Sequence, residues 1–204
     1  MPVDEAAREV AHTLAQEDAL RAQMYRFLAR LLAAPPDQAL LKNISEMKGD
    51  ETDLGKSMES FGKLAAKTDV ARADQEYHDL FIGVARGELL PYGSYYLTGF
   101  LHEKPLAKLR NDMAQLGIAR DADHKEPEDH IAAVMDMMAG LITGEFGVPA
   151  SLAEQKQFFE AHISSWAGHF FADLEGAKSS VLYAALGSIG RSFIEIETTA
   201  FAMS

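Results

Sequence analysis

The run Glu126-Pro127-Glu128-Asp129-His130, with His124 just upstream, concentrates carboxylates and imidazoles in one place. Read as metal chemistry, Asp129 and His130 would ligate a divalent ion with help from His124 or Glu126. The outcome would be a metal-dependent hydrolase built on His124, Asp129 and His130. The spacing argues against it, because adjacent helical residues point about 100° apart and do not converge as an i, i+4 pair does. His162 and His169 lie seven residues apart among aromatics and form no second ligand helix. Read without a metal, Pro127 opens a helix and Glu128 and Asp129 sit in its first turn, where the helix dipole favours acids. The spacing favours this second reading, so no metal and no cofactor are expected.

A second constellation is aromatic. Tyr77, Leu80 and Phe81 recur at i, i+3, i+4, and the segment Pro91-Tyr92-Gly93-Ser94-Tyr95-Tyr96 follows. Such a stripe is ordinarily core. Here it adjoins a Gly- and Pro-rich stretch carrying three more tyrosines. Rings with polar tips suit a surface that binds another chain, since they offer area and hydrogen bonding together. Core packing and a pocket for an apolar peptide stand level on composition alone.

Nucleophilic and phosphate chemistry find little support. There is no cysteine. Ser94 lies in Gly93-Ser94-Tyr95, which lacks the G-x-S-x-G elbow, and no strand precedes it. Neither G-x-x-x-x-G-K-[ST] nor G-x-G-x-x-G is present.

The elements that must position these residues are helical throughout. Met24, Phe27, Leu28, Leu31 and Leu32 form one amphipathic stripe that must end near Ala34, because Pro35 and Pro36 follow. Leu40, Leu41 and Ile44 predict a short helix, 43–56 a polar loop, and Met58 to Ala65 a third helix. Val70 to Phe81 reads as a fourth. The stretch 82–99, punctuated by five glycines and prolines, reads as a long irregular loop, a kind of segment that is often functional. Pro105 opens a helix to Leu116, and 118–126 is a polar hinge loop. Pro127 opens the next helix. Ser151 with Glu154 forms a capping box before an aromatic helical stretch, and Ser179 or Ser180 caps a last helix whose buried face runs from Leu182 to Ile196. No alternating run is convincing as a strand. The expectation is an all-α globule of about nine to eleven helices, forming a single domain over residues 1–204.

Composition bounds the class. The chain has 204 residues, 19 basic against 31 acidic, a net charge of −12, and 48% hydrophobic residues. That is apolar enough for a packed core and argues against disorder. Zero cysteine removes disulfides, thiolate metal sites and iron–sulfur ligation. The acidic balance argues against nucleic acid, whose binding needs Lys and Arg on phosphates. The acidic N-terminal stretch is no signal peptide, and no window approaches a membrane span, so a cytoplasmic protein without membrane insertion is expected.

Together the motifs resemble a known family. Tyr77-x-x-Leu80-Phe81 with Gly83, then Pro91-x-x-Ser94-x-Tyr96, then Glu126-Pro127-x-Asp129-His130-Ile131 are similar to the TorD/DmsD/NarJ redox-enzyme maturation chaperones. Phe158, His162, Trp166, Phe170, Tyr183 and the early Arg21-x-x-x-Tyr25-x-x-Leu28 extend the match. The resemblance implies an all-helical binding protein and no enzyme. It implies a partner, the twin-arginine leader and apo-form of a molybdenum-cofactor oxidoreductase of formate dehydrogenase, trimethylamine N-oxide or dimethyl sulfoxide reductase, or nitrate reductase type. The chaperone would assist cofactor insertion and delay export. The implied leader-binding residues are Tyr77, Leu80, Phe81, Pro91, Tyr92, Ser94, Glu126, Pro127, Glu128, Asp129 and His130. Tyr77 departs from a Trp often found there. A leader has a basic front and an apolar middle, so Glu128 and Asp129 would pair with its arginines. The apolar middle would lie on Leu80, Phe81 and the tyrosines. The protein would be a monomer or a domain-swapped dimer, exchanging through 43–56 or 118–126.

Overall fold

The computed structural model describes residues 3–120 and 126–204, with side chains from residue 16 onward. Among these, ten α-helices and one π-helix follow in order. They are α1 (Val3–Ala33), α2 (Gln38–Ser45), α3 (Asp53–Ala65), α4 (Val70–Tyr77), the π-helix His78–Ile82, α5 (Gly93–Thr98), α6 (Lys104–Gln115), α7 (Ile131–Thr143), α8 (Leu152–His162), α9 (Ala167–Gly176) and α10 (Leu182–Ala202). The all-α class follows directly from the periodicities. The described residues contain no strand and no helix long and apolar enough to cross a membrane.

Helix starts are written in side-chain oxygens. Asp37, Thr52 and Asp69 cap α2, α3 and α4 by accepting from Leu40, Gly55 and Arg72 amides. Ser151 and Glu154 form the expected capping box on α8. Of α7's 13 residues, ten are buried, and a helix apolar all round belongs in the interior. It packs on α1, while α10 packs on α9 and α3. Gly190 lets α10 come close, since a Cβ there would lie 2.2 Å from the Phe171 ring of α9. One contiguous cluster of buried side chains runs from Ala22 on α1 to Phe201 on α10.

Two polar devices lock the termini of this bundle. Arg21 on α1 donates to both oxygens of Glu197 on α10, at 2.8 and 2.9 Å, and Tyr25 donates to the same carboxylate at 2.9 Å. Gln155 of α8 accepts a further Arg21 bond at 3.0 Å. Glu197 is 1% exposed, and breaking so buried a pair costs about 3–5 kcal/mol. At the end of α1, Tyr77 and Tyr183 donate to the carbonyls of Leu32 and Leu31 at 3.3 and 3.0 Å. These carbonyls have no partner within the helix, so the two phenols act as its C-terminal cap.

Several expectations are corrected. The fourth helix changes to a π-helix at His78, closed by Gly83 N–H donating to the His78 carbonyl at 2.7 Å. The connection 82–99 is not irregular throughout, because α5 occupies Gly93–Thr98. The polar loop 43–56 is shorter than expected, since α2 and α3 take both its ends. Pro127 does not open α7. The helix starts at Ile131 with His130 as its N-cap, so Glu128 and Asp129 precede it in a turn. The aromatic stretch after Ser151 is two helices, broken at 163–166. Ile196 is 49% exposed and does not belong to the buried face. Of the hinge loop 118–126, Ile118 is buried and residues 121–125 lie outside the described residues.

Ser179 and Ser180 do not cap α10. Glu76 does so across space, its carboxylate accepting from the amides of Val181, Leu182 and Tyr183 at 2.7, 3.1 and 2.7 Å. Glu88 takes the preceding amides of Lys178 and Ser179 at 2.7 and 3.0 Å. A helix N-terminus favours negative charge, and a carboxylate from elsewhere in the chain meets that need better than a short hydroxyl.

Candidate functional site

The two sequence constellations meet. Residues 91–94 and 127–131 are clasped by an isolated antiparallel bridge between Tyr92 and His130. Gly93 N–H donates to the Asp129 carbonyl at 2.9 Å, and Ile131 N–H donates to the Pro91 carbonyl at 2.8 Å. A third bond comes from the side chain, Ser94 N–H donating to Asp129 Oδ2 at 2.7 Å. Gly93 leaves room beneath it, because a Cβ would sit 3.1 Å from the Trp166 indole, tighter than an ordinary contact. Trp166 is itself fixed by its N–H donating to the His162 carbonyl at 2.7 Å.

His130 has a structural post. Its Nδ1 accepts from Ala132 N–H at 3.1 Å, and its ring meets Tyr92 edge-on at 5.2 Å. Tyr92 donates its hydroxyl to the exposed Glu126. Burial and then this bond to Glu126 push the Tyr92 phenol well above its ordinary value. Burial first, with the charge of Glu126 added, raises Tyr77 to about 12. Both phenols therefore stay protonated donors at neutral pH, and both feel Glu126.

The acids divide by role. Asp129 is 4% exposed and its Oδ2 is committed to Ser94. Its Oδ1 and the Ser94 hydroxyl have no hydrogen-bond partner among the described residues. Glu128 is 7% exposed and sits between Arg110, at 2.8 Å, and Arg120, at 2.7 Å. Burial pushes its carboxyl up, but backbone bonding and the two guanidiniums outweigh that and hold it below the usual range. With Arg110 and Arg120 it lines a cleft of about 310 Å³ whose other walls are Met113, Ala114 and Ile118. Glu126 alone of the three presents its carboxylate at the surface. Pro127 is partly buried behind it.

The aromatic stripe faces inward. Leu80 is 0% and Tyr77 9% exposed, which fits the core reading. Phe81 is half-buried, packed edge-on against Tyr77 at 5.0 Å and Tyr183 at 5.7 Å. Pro91 and Ser94 are buried, while Tyr92 keeps an exposed edge. The expectation that an apolar segment lies on Leu80 thus meets a side chain with no free surface. His124 lies outside the described residues, and among the described ones no group of three His, Asp or Glu side chains could hold a metal. Asp129 and His130 are instead bonded to backbone amides.

Sequence reasoning did not find Arg110 and Arg120 as partners of Glu128, nor Glu76 as a cap. No helical spacing signals them, since the two arginines reach Glu128 from outside its own turn and Glu76 acts across more than a hundred positions.

A model of the nitrate reductase delta subunit family matches residues 48–172. Among curated proteins, the chaperone protein TorD of Vibrio atlanticus is 27% identical, covering 87% of this chain and 93% of its own. The TorD of Aliivibrio fischeri is 26% identical over 74% of this chain and 80% of its own. That of Vibrio cholerae is 31% identical over 59% and 58%. A solved protein of Archaeoglobus fulgidus, provisionally assigned to redox enzyme maturation, superposes with a TM-score of 0.55 at 21% identity. It covers 86% of this chain and 93% of its own, and shares the fold.

Proposed function

The chain belongs to the nitrate reductase delta subunit family, which holds the TorD chaperones, and from that premise we propose a maturation chaperone that binds the twin-arginine leader of a molybdenum-cofactor oxidoreductase. It acts by binding and not by catalysis, as its named relatives are chaperones. It holds the apo-client in the cytoplasm until the cofactor is inserted.

The observation that carries this reading is the clasp with Glu126 at its rim. Beside the clasp an exposed carboxylate meets the polar tip of Tyr92. A leader arginine meets such an acid through charge-assisted bonds in a planar fork, which a lysine cannot match. The net charge of −12 gathers the basic front from solution, an effect that salt weakens. The wider clasp, Pro91, Tyr92, Ser94, Pro127, Glu128, Asp129 and His130, holds that rim in shape, and Tyr77, Leu80 and Phe81 support it from the core side.

The test is a titration with a synthetic twin-arginine leader and its Lys-Lys counterpart. The Arg-Arg peptide binds more tightly, and Glu126→Gln removes the difference. Absence of binding to leaders of formate dehydrogenase, trimethylamine N-oxide reductase, dimethyl sulfoxide reductase and nitrate reductase alike would sink the reading.

A further inference from the structure

The buried Leu80 and Tyr77 leave open where an apolar leader segment goes, and the surface next to the clasp supplies a place. Leu97, Phe100 and Leu101 are 44%, 70% and 38% exposed within five residues of chain. Single exposed apolar side chains are ordinary, but three large ones on one short turn are a surface that wants a cover. We propose that the apolar middle of the leader docks on α5 and the turn after it, across Leu97, Phe100 and Leu101. This rests on the leader-binding reading above and moves its apolar contact away from Leu80.

Continuity names the occupant. The helix α5 begins at Gly93, inside the clasp, and runs six residues, about 9 Å, to Thr98. A leader arginine that meets Glu126, which Tyr92 holds one residue before α5, is placed beside the start of this helix. Exposed Glu103 separates the apolar turn from exposed Lys104 and Lys108, so charge there is mixed and the direction rests on Glu126 taking the basic front.

The surface is also held ready. Thr98 donates its hydroxyl to the Ser94 carbonyl at 2.8 Å and accepts from Phe100 N–H at 3.2 Å. Gly99, with φ of +82°, ends the helix in the left-handed conformation and turns Phe100 outward. On the opposite side Tyr96 donates to Asp173 at 2.9 Å and lies 5.6 Å from the Trp166 ring, anchoring α5 to α9. A backbone ordered before binding loses little freedom on contact, which favours affinity.

The experiment compares two synthetic twin-arginine leaders, one with a Leu-rich middle and one with that middle replaced by Ser and Gly. They are titrated against the wild-type chain and the double variant Leu97→Ser/Phe100→Ser. Both substituted side chains lie outside the core, so the Tm of the variant stays at the wild-type value. The variant binds the Leu-rich leader at least tenfold more weakly and binds the Ser/Gly leader as the wild type does. Equal binding of the Leu-rich leader by variant and wild type would overturn this inference while leaving leader binding intact. Loss produced by Ile82→Ser/Val84→Ser in place of the α5 variant would overturn it too. No binding by the wild type would sink the leader-binding reading itself.

Discussion

Replacing Asp129 by Ala should loosen the clasp whether or not a ligand is present. The carboxylate is 4% exposed and accepts the Ser94 amide at 2.7 Å, while Ser94 is itself fully buried. A hydrogen bond to a charged acceptor contributes about 1.5–3 kcal/mol, and removing it leaves a buried N–H with no acceptor. The two backbone bonds of the bridge remain, so the loss is local and amounts to about 2–3 kcal/mol. For a chain of this size each kcal/mol shifts Tm by about 2–4 °C, so a fall of roughly 4–12 °C is expected. Asp129→Asn keeps an acceptor oxygen without the charge and should lose about half as much, since neutral bonds are roughly half as strong. The assay is thermal unfolding at pH 7 followed by far-ultraviolet circular dichroism, with leader affinity measured on the same samples. An Asp129→Ala variant with wild-type Tm and weakened leader binding would refute this. It would make Asp129 a direct leader contact and not the residue that holds the clasp.

Glu76→Ala should strip the cap from three amides of α10 and cost about 1–2 kcal/mol, read as a lower urea midpoint with unchanged slope. A midpoint equal to wild type would mean that water serves these amides as well as the carboxylate does. The His162 ring, 2.7 Å from Asp112, titrates below its ordinary 6.5 because burial outweighs the pull of Asp112. On acidification the unfolded chain takes its proton first, so stability falls from pH 6.5 downward and levels below the folded-state pKa. His162→Gln, which can still donate to Asp112, should flatten the Tm profile in that window. Parallel profiles for the two proteins between pH 7 and 5.5 would rule out His162 as the source. Glu128, held low by backbone bonding and its two arginines against the opposing effect of burial, contributes stability above the ordinary carboxylate pKa of 4.5 and loses it only on further acidification, so the two windows are separable.

The helices were legible because their stripes are long, and Ser151 with Glu154 marked one start within three residues. The caps Asp37, Thr52 and Asp69 act at the same short range but have no acid three residues on to single them out. Glu76 and Glu88 defeat it, because they cap amides roughly a hundred positions away. The Glu126–His130 run was visible as a constellation, but the fate of each acid was not. Whether an acid faces solvent, a guanidinium or a neighbouring amide depends on what tertiary packing brings beside it. Pro127 misled for a related reason. A proline suits the first helical turn, yet the backbone here spends those residues on the bridge to Pro91 and starts α7 only at Ile131. The inward turn of Tyr77 was one of two level readings of its stripe, while its partner was hidden, since the bond to the Leu32 carbonyl spans 45 positions.

The π-helix His78–Ile82 has a consequence for how chain length varies around the clasp. A π-turn holds one residue more than an α-turn, as the bond from Gly83 back to His78 records. Deleting any one of these five residues would restore an ordinary α-helix. The π-turn absorbs the extra residue, so the side chains on either side of the gap would keep the faces they present now. A related chain one residue shorter here would carry a different residue inward at the position of Leu80. Aligned position and physical position therefore part company within this segment, and a correspondence of aromatic residues across it has to be drawn by face and not by count.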